Sequence, residues 1–220
     1  MHGHNTILES KKKQIEASLA SLFDDVREAI DAAIRCLFKR DQGVCINLID
    51  NDVMLNEKRR MIEQDCMVAI ASQQPVAHDL RDIVADMRIA SELERMGDYA
   101  RDIAACILEM DNASLEDLGL IDIQTMAGIC QQMLSQVLRA HRDNDAILAR
   151  GLTASDDRLD ADLHRLVETL LNTMRHKPET VQNGSRMLWI AHNLERCGDR
   201  LTNIAEQVVF RVEGETVDLG

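Results

Sequence analysis

Aromatic side chains are scarce in this chain, at 2% of 220 residues. That scarcity suits a helix bundle filled by Leu, Ile, Ala and Met, and no segment has the signature of a strand. Basic charge is also short: 25 Lys and Arg face 38 Asp and Glu, a net −13. Phosphate backbones need a basic surface, so nucleic acid is excluded as a partner. The acidic balance fits a soluble protein with cation-binding patches. No apolar run approaches the ~20 residues of a membrane span, so any membrane role must come through a partner. None of the six cysteines forms a Cys-x-x-Cys pair. With no signal peptide at Met1-His2-Gly3-His4, a reducing cytoplasm is expected. Gly-x-x-x-x-Gly-Lys and Gly-x-Gly-x-x-Gly loops are absent, which argues against phosphoryl transfer. No His follows a Glu by three residues, as inward-facing di-iron bundles require.

What the chain does have is a repeat. Ile89-Ala90-Ser91-Glu92-Leu93-Glu94-Arg95-Met96-Gly97-Asp98 continues to Ile103-Ala104. Its echo is Ile190-Ala191-His192-Asn193-Leu194-Glu195-Arg196-Cys197-Gly198-Asp199, continuing to Ile204-Ala205. The gapless match marks a tandem duplication. Ile89, Leu93, Met96, Ala100, Ile103 and Ile107 step by four and three, the seam of a packed helix. Ile190, Leu194, Cys197, Leu201, Ile204 and Val208 repeat it. Glu94 and Asp98, like Glu195 and Asp199, lie one turn apart and roughly 140–180° from the seam. Like charges at that spacing cost a helix a few tenths of a kcal/mol, which a bound cation would reverse. Small residues, Ala90-Gly97-Ala104 and Ala191-Gly198-Ala205, run between seam and acids and would let a second helix approach.

Taken in order, a first helix covers about 5–39 and breaks at Asp41-Gln42-Gly43. A second runs about 44–72, and Pro75 suits the first position of a third, which ends near Met110. Asp111-Asn112-Ala113-Ser114 links the halves. A fourth helix covers about 118–142, a fifth runs to Arg175 with a bend at Gly151, and a sixth ends near Glu213 with Ser185 as a late N-cap. The expected fold is all-α: two tandem three-helix bundles, residues 1–112 and 115–220.

The second helix of each half adds oxygens. Asp156 and Asp160 lie one turn apart beside the seam Leu152, Leu159, Leu163, Leu166 and Leu170. In the first half Asp52 and Asn56 hold the matching place, next to Asp50. Two helices offering paired oxygens suit hard cations, and Asn56, neutral where the other copy has Asp160, should weaken the first site. The competing view is a plain solvated acidic face. Two copies in the same register, each beside a Gly, favour metal, with the carboxylates open to water. His78, His164, His176, His192 and His141 are expected at the surface, with His164 a lesser candidate ligand. Arg95 and Arg196 could hold a carboxylate or an anion, or form ordinary surface pairs. Trp189 and the methionines are expected in the core, and Lys11-Lys12-Lys13 on a solvated face.

The paired Leu-Glu-Arg-x-Gly-Asp segments, Gln-Pro-Val-Ala-x-Asp-Leu-Arg at 74–81 and Asp-Asp-x-x-Asp at Asp156 resemble the PhoU family over nearly the whole chain. The resemblance implies two three-helix bundles holding metal ions or clusters through E(D)xxxD motifs. Its ligands would be Glu94, Asp98, Glu195, Asp199, Asp156 and Asp160, with Asp52 and Asn56 in the remaining place. It further implies a cytoplasmic, usually dimeric, non-enzymatic negative regulator of the phosphate-starvation response. That regulator would couple the phosphate ABC transporter, through its ATPase, to the sensor histidine kinase. Oxygen-rich sites suit Mg, Mn or Ca, clustered carboxylates can hold iron, and Zn is a further candidate. The alternatives are a metal-carboxylate helical-bundle enzyme and a metal-free scaffold.

Overall fold

The computed structural model describes residues 2–111 and 115–220. Among them every regular element is helical: α1 (His2–Lys39), α2 (Gln42–Gln73), α3 (His78–Leu108), α4 (Leu120–Asp143), α5 (Ala146–Arg150), α6 (Thr153–His176), a 3-10 turn (Pro178–Thr180) and α7 (Val181–Glu213). The first bundle is α1–α3 and the second is α4–α7. The expected boundary between halves falls on residues 112–114, outside the described residues.

Local chemistry sets the turns. Asp41 caps α2 by accepting the Val44 N–H at 3.2 Å. Gln42 and Gly43 lie inside the first turn of α2 instead of breaking the chain. Gln74 closes α2 at φ 46, its N–H bonded to the Ile70 carbonyl at 3.0 Å. Pro75 does not start α3. The chain needs a second positive-φ residue, Ala77 at φ 45, before the helix begins at His78. Proline's missing N–H is equally harmless in that open loop.

Two further expectations are corrected in the second half. Gly151 marks a full break and not a bend. The carbonyls freed there find partners: the Gln136 side chain donates to the Leu148 carbonyl at 2.9 Å and the Thr153 hydroxyl to the Arg150 carbonyl at 3.3 Å. Ser185 is not an N-cap, because α7 starts at Val181 and the Ser185 hydroxyl donates back to the Val181 carbonyl at 2.7 Å. Asn183 is tolerated inside α7 because its carbonyl accepts the Asp111 N–H at 3.1 Å and its amide donates to the Asp111 carboxylate at 2.8 Å. Gly184 beside it is needed for packing, since a Cβ there would lie 2.7 Å from the Met174 sulfur.

All six α3 seam residues and all six of α7 are buried. Each fully buried Leu or Ile contributes about 1.5–3 kcal/mol. The two seams do not serve separate bundles. α3 lies along α7, α1 touches α4, and one apolar cluster runs through both halves.

A charged network crosses that joint. Arg211 of α7 is 5% exposed and reaches Glu16 of α1 at 2.7 Å, with Asp82 at 3.4 Å and Asp86 at 3.3 Å on α3. His141 of α4 is buried against Asp86 at 2.7 Å, a correction to its expected surface position. Lys12 likewise leaves the solvated face to pair with Asp79 and Asp82, at 2.8 and 2.7 Å. Trp189 goes the other way. It is 56% exposed and stands edge-on to His192, and Met54, Met61 and Met67 are also outside the core. Helical spacing located the core faces but not which apolar residues lie on the opposite side.

Candidate metal centre

Asp160 and Asp199 stay open to water as expected, but the other carboxylates are largely covered. Side-chain exposure is 12% for Glu94, 14% for Asp52 and 22% for Asp98, and 20% for Glu195. The reason lies in the small stripes. A Cβ on Gly97 would meet Leu55 at 2.5 Å, and one on Gly198 would meet Leu159 at 2.6 Å and the Asp156 carboxylate at 3.0 Å. α2 and α6 therefore press close to α3 and α7, and the acids flanking each glycine are covered from the side. Gly198→Leu should cost about 1–2 kcal/mol, overpacking outweighing the roughly 1 kcal/mol gained by removing a helical glycine. Denaturant unfolding checks this, and an unchanged midpoint would show that the contact is not tight.

The two acid clusters differ in charge. In the first, Arg101 places one nitrogen 3.2 Å from Asp52 and 2.7 Å from Asp98, and its other arm reaches Asp102 at 2.9 Å. The Asn56 amide donates to the Asp52 carboxylate at 3.1 Å, so it faces Asp52 as a donor and not as a ligand oxygen. Arg59 lies 3.5 Å from Glu94. Burial raises the Glu94 pKa and Asp98 adds to the rise, while Arg59 and Arg95 oppose it. Two guanidiniums thus stand where a cation would go.

The second cluster lacks counterparts of Arg59 and Arg101 and has one guanidinium within reach, that of Arg196. Burial, then Asp160 and Asp199, push Asp156 up to about 6. Burial, then Asp199 and Asp160, push Glu195 up to about 7, with Arg196 opposing. Asp160 is also raised, by burial and then Asp199. The four acids repel one another, as carboxylates sharing a site do. One Glu195 oxygen is buried without a hydrogen-bond partner. His192 lies 3.3 Å from that oxygen. Arg196 bends over the Tyr99 ring at 5.9 Å and stays 3.6 Å from Asp199. Arg200 points away, to Glu92 at 3.2 Å. His164 engages the Asp160 carbonyl at 3.0 Å.

Hard oxygen donors, four acids against the single guanidinium of Arg196, and a buried Glu195 oxygen without a hydrogen bond fit a divalent cation. The spacing is that of repelling groups: among the described residues no three His, Cys, Asp or Glu side chains are gathered closely enough to hold an ion. Arg59 and Arg101 are the residues that the sequence motifs missed. The register of the duplication contains the signal. The interval that carries Asp52 to Asp156 carries Arg59 to Leu163, and the one that carries Asp98 to Asp199 carries Arg101 to Thr202. Both neutralising cations are therefore peculiar to the first half.

The chain matches the PhoU domain model twice, over residues 19–107 and 123–208. It is 30% identical over 214 residues to a phosphate-specific transport system accessory protein PhoU homolog of Clostridium acetobutylicum, covering 97% of each chain. A homolog of that description from Streptococcus pneumoniae is 30% identical, over 94% of this chain and 95% of the relative. The crystal structure of the phosphate transport system regulatory protein PhoU from Streptococcus pneumoniae superposes with a TM-score of 0.90 at 28% identity, covering 96% of this chain and all of that one. PhoU from Pseudomonas aeruginosa gives 0.89 at 26% identity, over 94% and 99%.

Proposed function

This chain belongs to the PhoU family, and from that premise we propose that it is a regulatory accessory protein of a phosphate-specific transport system. The support is the role of relatives matched over nearly their full length. No helix among the described residues is long and apolar enough to cross a membrane. Contact with the transport machinery would then come from exposed helix faces. In this reading the protein acts in the cytoplasm, as a homodimer and without catalysis of its own. It represses the phosphate-starvation response by joining the transporter ATPase to the sensor histidine kinase.

The second bundle is its cation site. Asp156, Asp160, Glu195 and Asp199 would hold a hard divalent ion such as Mg, Mn or Fe, and the ion would supply the positive charge those acids lack. The acid-rich second cluster carries this reading. The first cluster, answered by Arg59 and Arg101, would hold a cation more weakly, although one Asp52 oxygen there is also buried without a partner. The wide spacing of the acids favours the rival view, a metal-free scaffold.

Metal analysis of the full chain separates the two. Purified without chelator, the parent and an Asp52→Asn/Asp98→Asn variant should hold equal metal, and Glu195→Gln/Asp199→Asn should hold almost none. Metal retained in the latter would return the scaffold to favour. The regulatory reading is tested by a starvation-gene reporter in a deletion strain. Repression that survives in phosphate-rich medium would defeat it.

A further inference from the structure

The outer face of α2 takes no part in the acid clusters, yet it carries several large apolar side chains. Ile46, Val53, Met54, Met61 and Val68 are 43–65% exposed. At about 100° per residue they fall within roughly a third of the helix circumference. The opposite side of α2 buries Cys45, Leu55, Ile62 and Cys66. Exposed Asp50, Glu57 and Gln64 share that arc, so the apolar residues there form separate patches, Met54 with Met61 being one, and not a continuous face.

The duplicated half shows that the bundle does not require the second face. The interval that carries Leu55 to Leu159 and Ile62 to Leu166, buried in both halves, carries Met54 to Arg158 and Met61 to Arg165. Charged residues are therefore compatible with these positions, and the methionines are there for another reason. Exposed apolar side chains gathered at the edge of a hollow mark a contact.

The surface is also concave. Met54, Met61 and Ile62 of α2 face Ala17, Ser18 and Ser21 of α1 across a groove of about 550 Å³. Beyond Lys58, which reaches across to Ser21 and Asp25 of α1, lies a second hollow of about 350 Å³, lined by Ala29, Ala32 and Leu48 together with Asp52, Gly97 and Arg101 of the first acid cluster. From Gln14 to Ala32 the α1 wall runs about 27 Å, the length of a helix of roughly 18 residues. The rim of the first groove is acidic, flanked by Glu57 and Asp65, whereas Asp25 and Glu28 beside the second hollow are paired with Lys58 and Arg35.

We propose that this groove receives an amphipathic helix of a partner protein, its apolar stripe against Met54 and Met61 and its basic flanks against the acidic rim. Helix-in-groove recognition uses such a trough, and methionine adapts its shape to the incoming side chains. Charge complementarity selects the partner's sign. A second copy of this chain, at net −13, would bring the same acids against the rim. The groove of Met54 and Met61 contains none of the acid-cluster residues, so the proposal does not rest on metal.

The test uses the full chain and a fluorescent helical Leu/Lys peptide of about 18 residues, with a permuted peptide of equal composition as control. The amphipathic peptide should bind at least about tenfold more tightly than the permuted one. Met54→Glu/Met61→Glu should weaken it by about tenfold or more, although two added negative charges would strengthen mere electrostatic attraction. In methyl NMR, Met54 and Met61 should shift on titration while buried Met126 and Met133 stay still. Equal binding of both peptides, binding unchanged or tightened in the variant, or methyl shifts elsewhere would overturn the proposal. So would sedimentation equilibrium showing that the double substitution dissociates a homodimer, which would assign the face to a second copy.

Discussion

Arg211→Met is expected to lower unfolding stability by about 3–5 kcal/mol, the usual result of removing one partner from a buried ion pair. That is a large share of the 5–15 kcal/mol typical of a whole domain. Asp82 and Asp86 are each 3% exposed, and Arg211 reaches both. Lys12, 2.7 Å from Asp82, still compensates that carboxylate in the variant. Asp86 loses more, because its other neighbour is the His141 ring. The loss should therefore be partly recovered by Asp86→Asn in the same background, and less by Asp82→Asn. Guanidinium unfolding measures all three. A loss under about 1 kcal/mol would mean that the joint is wet and the charges are screened.

The second large effect is electrostatic and depends on pH. In chelator-treated protein, Asp156 and Glu195 have folded-state values near 6 and 7, above the ordinary 3.8 and 4.5. Raised values mean that the fold binds protons more tightly than the unfolded chain. Their stabilising contribution is fully present below about pH 4 and is lost as pH rises through about 6 and 7. An Asp156→Asn/Glu195→Gln variant cannot lose it. Variant and parent should match near pH 4, and the variant should be more stable by about 2–3 kcal/mol at pH 8, after discounting for solvent screening. Adding Mg or Mn at pH 8 should stabilise the parent and leave the variant unmoved. A difference that does not change with pH would show that the four acids do not share a field.

The four-and-three stepping of Ile89 to Ile107 and of Ile190 to Val208 made the seams legible because burial and helical period are the same pattern seen twice. The glycine stripe was legible for a similar reason: a residue that costs helix stability must be needed for something, and Leu55 and Leu159 are what it admits. Charges were harder to place. Arg101 stands three residues after Asp98, an ordinary helix pair by spacing, and only folding brings Asp52 to its other side. His141 and Arg211 are far apart in the chain, and nothing in either neighbourhood shows that they meet in the joint. Ser185 and Pro75 were misplaced because capping residues also serve inside helices and in loops, and the competing partner was out of view. The exposed methionines of α2 defeat periodicity, which cannot tell a face turned to the core from one turned to a visitor.

The packing of α3 on α7 has a consequence for how a doubled chain can change. A duplicate normally frees one copy to vary while the other keeps the original task. Here each seam is wall to the other, so neither is spare, and both remain aliphatic along their length. Redundancy survives only on the flanks. There the copies have parted: Arg101 for Thr202, Asn56 for Asp160, Met54 for Arg158, Met61 for Arg165. Within the seams one apolar residue only replaces another, as Cys197 for Met96 and Leu201 for Ala100, so changes of charge are confined to the flanks and mark where each half took on work of its own.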